Sequence, residues 1–117
     1  MAKKFAFCKN VAEATSVKAA IVENDLAYQA VKNGKKQGDG VYIVVSADYL
    51  NRKFDFMSVF DCERNEDGTL KKVLNVEDVQ EWLCELEDAG FIAFEYSEDA
   101  EYIFVTFKLQ YLLERNA

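Results

Sequence analysis

Proline and histidine are both absent from this 117-residue chain, and cysteine occurs only three times. Without proline, and without repeats or low-complexity tracts, a disordered linker is not expected. Without histidine, the odd and widely separated Cys8, Cys62 and Cys84 lack the partners of a usual zinc site, which indicates reduced thiols. We expect them to be buried, with Cys62 as the exception because it lies in a polar stretch.

Long apolar runs and catalytic signatures are also missing. No segment approaches the roughly 18 apolar residues that span a bilayer, and residues 1–7 lack the pattern of a signal peptide. We therefore expect a cytoplasmic protein with no membrane partner. The chain has no phosphate-binding glycine loop, no nucleophile motif and no metal-ligand spacing of acids, which predicts a non-enzymatic protein with no metal and no cofactor.

Acidic residues outnumber basic residues by 21 to 14, which gives a net charge of −7. Phosphate backbones bind cationic surfaces, so this charge disfavours nucleic acid as a partner unless the basic residues collect on one side. Half of the chain is apolar, including nine phenylalanines, six tyrosines and one tryptophan. That is enough material for one core, and we expect a single domain over residues 1–117.

The first half of the chain begins with alternating apolar residues at 3–8, which predict a short strand. Helical spacing predicts a first helix over residues 16–33, with Thr15 or Ser16 as its N-cap and Gly34 just past its end. Because apolar residues lie on two sides of this helix, we expect it to pack centrally between other elements.

A basic, glycine-containing turn over residues 34–40 leads into a β-branched run at 41–45, which predicts a strand. Ser46 is placed to cap a second, short helix that ends near Lys53. Residues 55–74 show no clear periodicity and are expected to form an irregular insertion.

The clearest element is a third helix that we expect to begin after Asn75 as N-cap. Val76, Val79, Leu83 and Leu86 follow at helical spacing, and Gly90 ends the helix.

Two strands at about 91–96 and 101–107, joined by the polar residues 97–100, are typical of a hairpin. Leucines within residues 109–113 have helical spacing and predict a short C-terminal helix, with continuation of the strand as the alternative.

The segment LCELEDAGFIAFEYSEDAEYIFVTF resembles the recognition helix, glycine and wing of the winged helix-turn-helix superfamily. In that family a leucine-rich helix ends in a glycine, and two apolar residues then begin the wing. The matching residues here are Leu83, Leu86, Gly90, Phe91 and Ile92. SVKAAIVENDLAYQAV followed by VYIVVSADYLNRKF resembles the N-terminal winged-helix domains of phage and plasmid replication initiators. The resemblance implies an α+β winged helix, with a three-helix core, a small antiparallel sheet and a β-hairpin wing, to which a short C-terminal helix is added. The insertion at about 55–74 departs from the short turn usual in DNA-binding members.

The recognition role implied for the third helix falls on acidic positions. Glu77, Glu81, Glu85 and Asp88 are expected on its exposed face, at spacings that repel one another. We interpret this face as the binding surface for a protein partner. The chain would then act, for example, as a regulator or inhibitor of a nucleic-acid machine. The alternative is a face that is merely solvated.

Basic residues outside the third helix give a competing hypothesis. Lys35, Lys36, Arg52 and Lys53 are candidate nucleic-acid contacts, which would make the chain a DNA-binding transcription or replication regulator. The alternative is ordinary positive charge at the C-terminal ends of helices.

The predicted wing is apolar on both faces of its second strand. Residues 102 and 104 are aromatic, and so is residue 107 on the opposite face. Either the C-terminal leucines cover the second face, or a partner or second copy does. A homodimer through the aromatic wing or the C-terminal leucines is therefore one expectation.

Overall fold

The computed structural model describes residues 5–115, and this part of the chain is a mixed α+β structure. In chain order its elements are α1 (Lys9–Ala14), α2 (Val17–Asn33), β1 (Lys35–Gln37), β2 (Gly40–Ser46), α3 (Ala47–Phe54), a 3-10 turn (Asp55–Met57), β3 (Val59–Arg64), β4 (Leu70–Glu77), α4 (Val79–Asp88), β5 (Ala93–Tyr96), β6 (Tyr102–Lys108) and α5 (Leu109–Arg115). None of the helices described is long and apolar enough to cross a membrane.

Helix α2 is the predicted first helix. The side chain of Ser16 caps it by accepting a hydrogen bond from the Ala19 amide at 3.1 Å. Leu26 is fully buried, and α2 contacts α1, α4 and β2, as expected for a central helix. Its other apolar side is only partly covered, because Val17 and Val31 remain 50% and 59% exposed.

The expected strand and short second helix are confirmed as β2 and α3. Ser46 caps α3 by accepting from the Tyr49 amide at 3.2 Å, and Leu50 and Phe54 are fully buried. Within the predicted basic turn, the short strand β1 pairs antiparallel with β2.

The strand expected over residues 3–8 is wrong for residues 5–8, and residues 3 and 4 lie outside the described part of the chain. The chain instead enters helix α1 at Lys9, and Val11 of this helix is buried in the core. Alternation does not produce a strand where no neighbouring strand accepts and donates its backbone hydrogen bonds.

The main sheet has the antiparallel order β1-β2-β6-β5, and β2 pairs with β6 from Gly40 to Ser46. The inner face of β6 is buried, but Tyr102 and Phe104 on its outer face are 48% and 42% exposed. The C-terminal leucines therefore do not cover the second face of β6, the strand predicted to belong to a wing. The reason is that α5 lies on the inner side, where Tyr111 stacks on the buried ring of Phe107 at 6.0 Å.

Residues Leu109–Arg115 form a helix, which confirms a C-terminal helix rather than a continued strand. A buried carboxylate attaches this helix to α2. Glu23 of α2 is fully buried; it accepts hydrogen bonds from the Tyr111 hydroxyl at 2.6 Å and from Arg115 at 2.7 to 3.0 Å. Burial raises the pKa of Tyr111, and the bond to Glu23 raises it further. Burial alone would lower the pKa of Arg115, but the bonds and charge of Glu23 raise it overall.

Residues 55–74, which we expected to be irregular, contain the 3-10 turn, β3 and most of β4. Strands β3 and β4 pair antiparallel as a separate two-stranded sheet around the turn from Asn65 to Thr69. Every residue of β3 is exposed, and in β4 only Leu74 and Glu77 are half-buried. We call residues 59–77 the arm.

Candidate functional site

Helix α4 presents the candidate surface, and its buried side fixes the orientation of that surface. Val79, Trp82, Leu83 and Leu86 are buried, which confirms the inward leucines of the predicted third helix. The helix ends before Gly90, which has a φ of 86°, a conformation that favours glycine.

The start of the third helix differs from the prediction. Asp78, not Asn75, is the N-cap, and its carboxylate accepts a hydrogen bond from the Glu81 amide at 3.2 Å. Val76 lies in β4 and is 42% exposed. The chain is still extended at residue 77 because Glu77 pairs with Val59 across the arm.

The outward side of α4 forms a shallow acidic depression with a volume of about 360 Å³. It is lined by Asp78, Gln80, Glu81, Cys84, Glu85 and Asp88. Helix α4 contains no lysine or arginine. We call this depression the acidic face.

The structure brings three of the four predicted partner-binding residues together. Glu81, Glu85 and Asp88 line the acidic face, whereas Glu77 is the last residue of β4 and forms an ion pair with Lys18 of α2. The carboxylate of Glu85 accepts a hydrogen bond from the Ser16 hydroxyl at 3.2 Å. The predicted repulsion between Glu77 and Glu81 along one helix therefore does not arise.

Two groups in or near the acidic face, Cys84 and Tyr96, have raised pKa values. Cys84 is exposed, contrary to the expectation that it is buried; partial burial, followed by the charge of Asp88, raises the pKa of its thiol. Burial and then the charge of Asp78 raise the pKa of Tyr96 on β5. Both shifts favour the neutral form of the group, first because burial disfavours the charged form and second because the nearby carboxylates do. Cys62 is exposed as expected, and Cys8 is half-buried.

Two of the basic candidates are paired with nearby acids. Lys53 lies 2.5 Å from Asp25 of α2, and Arg52 lies 2.9 Å from Asp48 one turn earlier on α3. Burial alone would lower the pKa of Lys53, but its hydrogen bonds to Asp25 and Tyr49 raise it overall. Their charge is thus largely compensated within the chain.

Lys35 and Lys36, the other two basic candidates, lie on β1 and are exposed. They line different depressions: Lys35 is beside Tyr42 and Asn33, whereas Lys36 is beside Leu109. Lys35 and Lys36 therefore do not line a common depression.

Three acids in the turn between β5 and β6 were not singled out from the sequence. Asp99 accepts hydrogen bonds from the Ser97 hydroxyl at 2.6 Å and from the Glu101 amide at 3.0 Å, and these bonds lower its pKa. Glu98 and Glu101 are exposed on either side of it. The sequence feature that could have identified these acids is the run of acidic residues in the predicted hairpin loop.

Residues 5–115 contain no group of three or more cysteine, aspartate or glutamate side chains that could hold a metal ion. Comparison with protein-family models, with curated proteins and with solved structures finds no match.

Proposed function

We propose that this chain is a non-enzymatic winged-helix interaction module of phage or mobile-element type that binds a basic protein through its acidic face. The order α2, β2, α3, α4 and the hairpin β5–β6 supports the winged-helix interpretation. So does the sheet, in which β2 pairs with β6 and β6 pairs with β5. In this interpretation the arm is an insertion between the second and third helices.

The observation that carries the function is the concentration of unpaired acids on the outward side of α4. Neither Glu81 nor Asp88 forms an ion pair with any residue that the structure describes. In the winged-helix interpretation α4 takes the place of the recognition helix, which is the element this fold offers to a partner. A surface of one charge sign attracts a partner of the opposite sign and accelerates the encounter.

A basic protein surface is the matching partner. Proteins that handle nucleic acids carry such surfaces for phosphate, and an acidic helix can occupy them in place of the nucleic acid. The acidic turn between β5 and β6, which would be the tip of the wing, adds charge of the same sign. These features support the role of a regulator or inhibitor of a nucleic-acid machine.

DNA binding by the chain itself has weaker support. The net charge is −7, and Arg52 and Lys53 are already paired with acids. A titration with duplex DNA at about 0.1 M salt, where the screening length is near 10 Å, should detect no sub-micromolar complex. A tight complex with a steep salt dependence would favour the basic residues as the site.

The direct experiment isolates a partner from the native host and compares variants of equal charge. Glu81→Gln with Glu85→Gln should weaken binding at low salt, and the defect should shrink at high salt because screening weakens the wild-type attraction. Glu63→Gln with Glu66→Gln makes the same charge change on the arm and should bind like wild type. If both double variants bind the partner as tightly as wild type at low salt, the acidic face is a solvent-exposed surface that does not bind the partner.

A further inference from the structure

A groove between α2, β1 and α5 has a volume of about 440 Å³, which is within the usual range for a small-molecule site. Its described lining is aliphatic except for one lysine and consists of Ala30, Val31, Gly34, Lys36, Val41, Leu109, Leu112 and Leu113. We call this space the α2–α5 groove. None of these residues lines the acidic face, so the groove is a separate surface.

The aliphatic surface of the groove is open to solvent. Val31 on α2 and Leu113 on α5 are 59% and 60% exposed, whereas Val41 is buried. The ion pair between Glu23 and Arg115 attaches α5 to α2, so both walls of the groove belong to the folded domain. An apolar ligand that covers these side chains removes their surface from water, which favours binding.

The polar groups in the groove narrow the chemistry of its ligand. The amide of Gly34 already donates to the Ala30 carbonyl at 2.9 Å, and the amide of Leu109 donates to the Asp39 carbonyl at 2.8 Å. Among the described lining residues none is aromatic, which leaves no ring to stack on a base. None of them has a hydroxyl or amide side chain that could bind a sugar or a peptide backbone. Lys36 is therefore the polar side chain that can select a ligand.

Lys36 lies on the same side of the sheet as the groove, because it pairs with the buried Val41 in the register of β1 and β2. It is exposed and forms no ion pair with any residue that the structure describes. A lysine stem packs along apolar surface while its ammonium stays in water. The groove thus combines an aliphatic surface with one uncompensated positive charge.

We infer that the α2–α5 groove binds a free aliphatic monocarboxylate, whose hydrocarbon chain packs between α2 and α5 while its carboxylate pairs with Lys36. Charge complementarity selects the anion. The net charge of −7 is spread over the chain, and at physiological salt a screening length of about 8 Å weakens distant acids more than the contact with Lys36. The groove is small for a protein partner, since it has eight lining residues and a standard interface uses roughly 20–30 on each side.

Calorimetric titration with octanoate and decanoate, below the concentrations at which they form micelles, measures this binding. Decanoate should bind roughly 4- to 15-fold more tightly than octanoate, the range for half and full burial of two further methylenes. Absence of binding by both acids, or equal affinity for them, would overturn the inference. Binding to phosphatidylglycerol vesicles without binding to either acid would overturn it in favour of a membrane surface.

Charge variants test the role of Lys36. Lys36→Gln should weaken octanoate binding roughly 2- to 5-fold, as expected for loss of an exposed ion pair, and should leave the affinity for the neutral 1-octanol unchanged. Lys35→Gln is the matched control, because it removes the same charge from a neighbouring residue that lines a different depression. Equal weakening by both variants, or an equal effect of Lys36→Gln on 1-octanol, would overturn the pairing with Lys36.

Apolar variants and NMR locate the hydrocarbon chain. Leu113→Ser should weaken binding of both acids, whereas Leu70→Ser, which replaces an exposed leucine of the arm, should not. Circular dichroism checks that each variant is folded. In wild type, decanoate should shift the amide resonances of Val31, Lys36 and Leu113 and should leave those of α4 in place. Shifts confined to other elements, or equal affinities of both leucine variants and wild type, would overturn the assignment of the groove.

Discussion

The buried pair of Glu23 and Arg115 allows the sharpest stability prediction. Arg115→Met keeps much of the aliphatic side chain but removes the guanidinium, which supplies three of the four hydrogen bonds that Glu23 accepts. The Glu23 carboxylate, fully buried, would retain only the Tyr111 hydroxyl.

Removal of one partner from a buried ion pair costs about 3–5 kcal/mol, because the other charge stays buried without compensation. That is a large part of the roughly 5–15 kcal/mol by which a typical domain is stable. Helix α5 has only seven residues and is too short to be stable alone. We therefore expect Arg115→Met to detach α5 or to unfold the domain at a much lower urea concentration.

Equilibrium urea unfolding, followed by the fluorescence of the buried Trp82, measures this cost. The matched control is Glu23→Leu with Arg115→Met, which removes both charges and should recover much of the lost stability. A free energy of unfolding for Arg115→Met within about 1 kcal/mol of wild type would refute the reasoning. A double variant no more stable than Arg115→Met would refute it as well.

Three further changes test the packing of the core, the close contact of Gly34 with α2 and β2, and the ion pair between Lys53 and Asp25. Leu86→Ala should cost roughly 2–5 kcal/mol in a thermal or urea melt because Leu86 is fully buried, whereas Leu113→Ala should stay within about 0.5 kcal/mol. Gly34→Ala should cost about 1–3 kcal/mol, since a Cβ there would collide with the end of α2 and with β2; an unchanged melt would contradict this contact. The Lys53 pKa is raised above 10.5, so the stability from its pair with Asp25 is present below that pH and lost as pH rises through the raised pKa. The difference in stability between wild type and Lys53→Met should therefore be constant from about pH 7 to 10 and shrink above it.

Elements with both a local cap and a buried stripe were predictable from sequence. Ser16 and Ser46 cap α2 and α3 where expected, and Gly90 follows α4. In each case the helix end is capped or terminated by a residue that lies next to it in sequence, either a serine side chain or a glycine. The hairpin β5–β6 was predictable for a similar reason, since its alternation and its polar turn are both local.

Features that depend on distant residues were not predictable. Val76 continues the helical spacing of α4, but cross-strand pairing in the arm keeps the chain extended to Glu77 and moves the cap to Asp78. Helix α1 has six residues and no side-chain hydrogen bond at its N-cap. Its stabilisation comes from the burial of Val11 against other elements, which the local sequence does not show.

The candidate site shows the same division. Glu81, Glu85 and Asp88 share a helix face, so their spacing brings them together without reference to the rest of the fold. Glu77 separates from them because its pairing with Val59 keeps it in β4, where it contacts Lys18, which is 59 residues away in sequence. Lys53 is likewise paired with Asp25, 28 residues earlier, and no local pattern predicts either contact.

The central claim is that the acidic face of α4 binds a basic partner. Its most direct test is the affinity of wild type and of Glu81→Gln with Glu85→Gln for the isolated partner, measured by calorimetry at about 0.05 and 0.5 M salt. We predict weaker binding by the double variant at low salt and a difference that shrinks at high salt. Equal affinities at low salt, with the double variant folded, would contradict the claim.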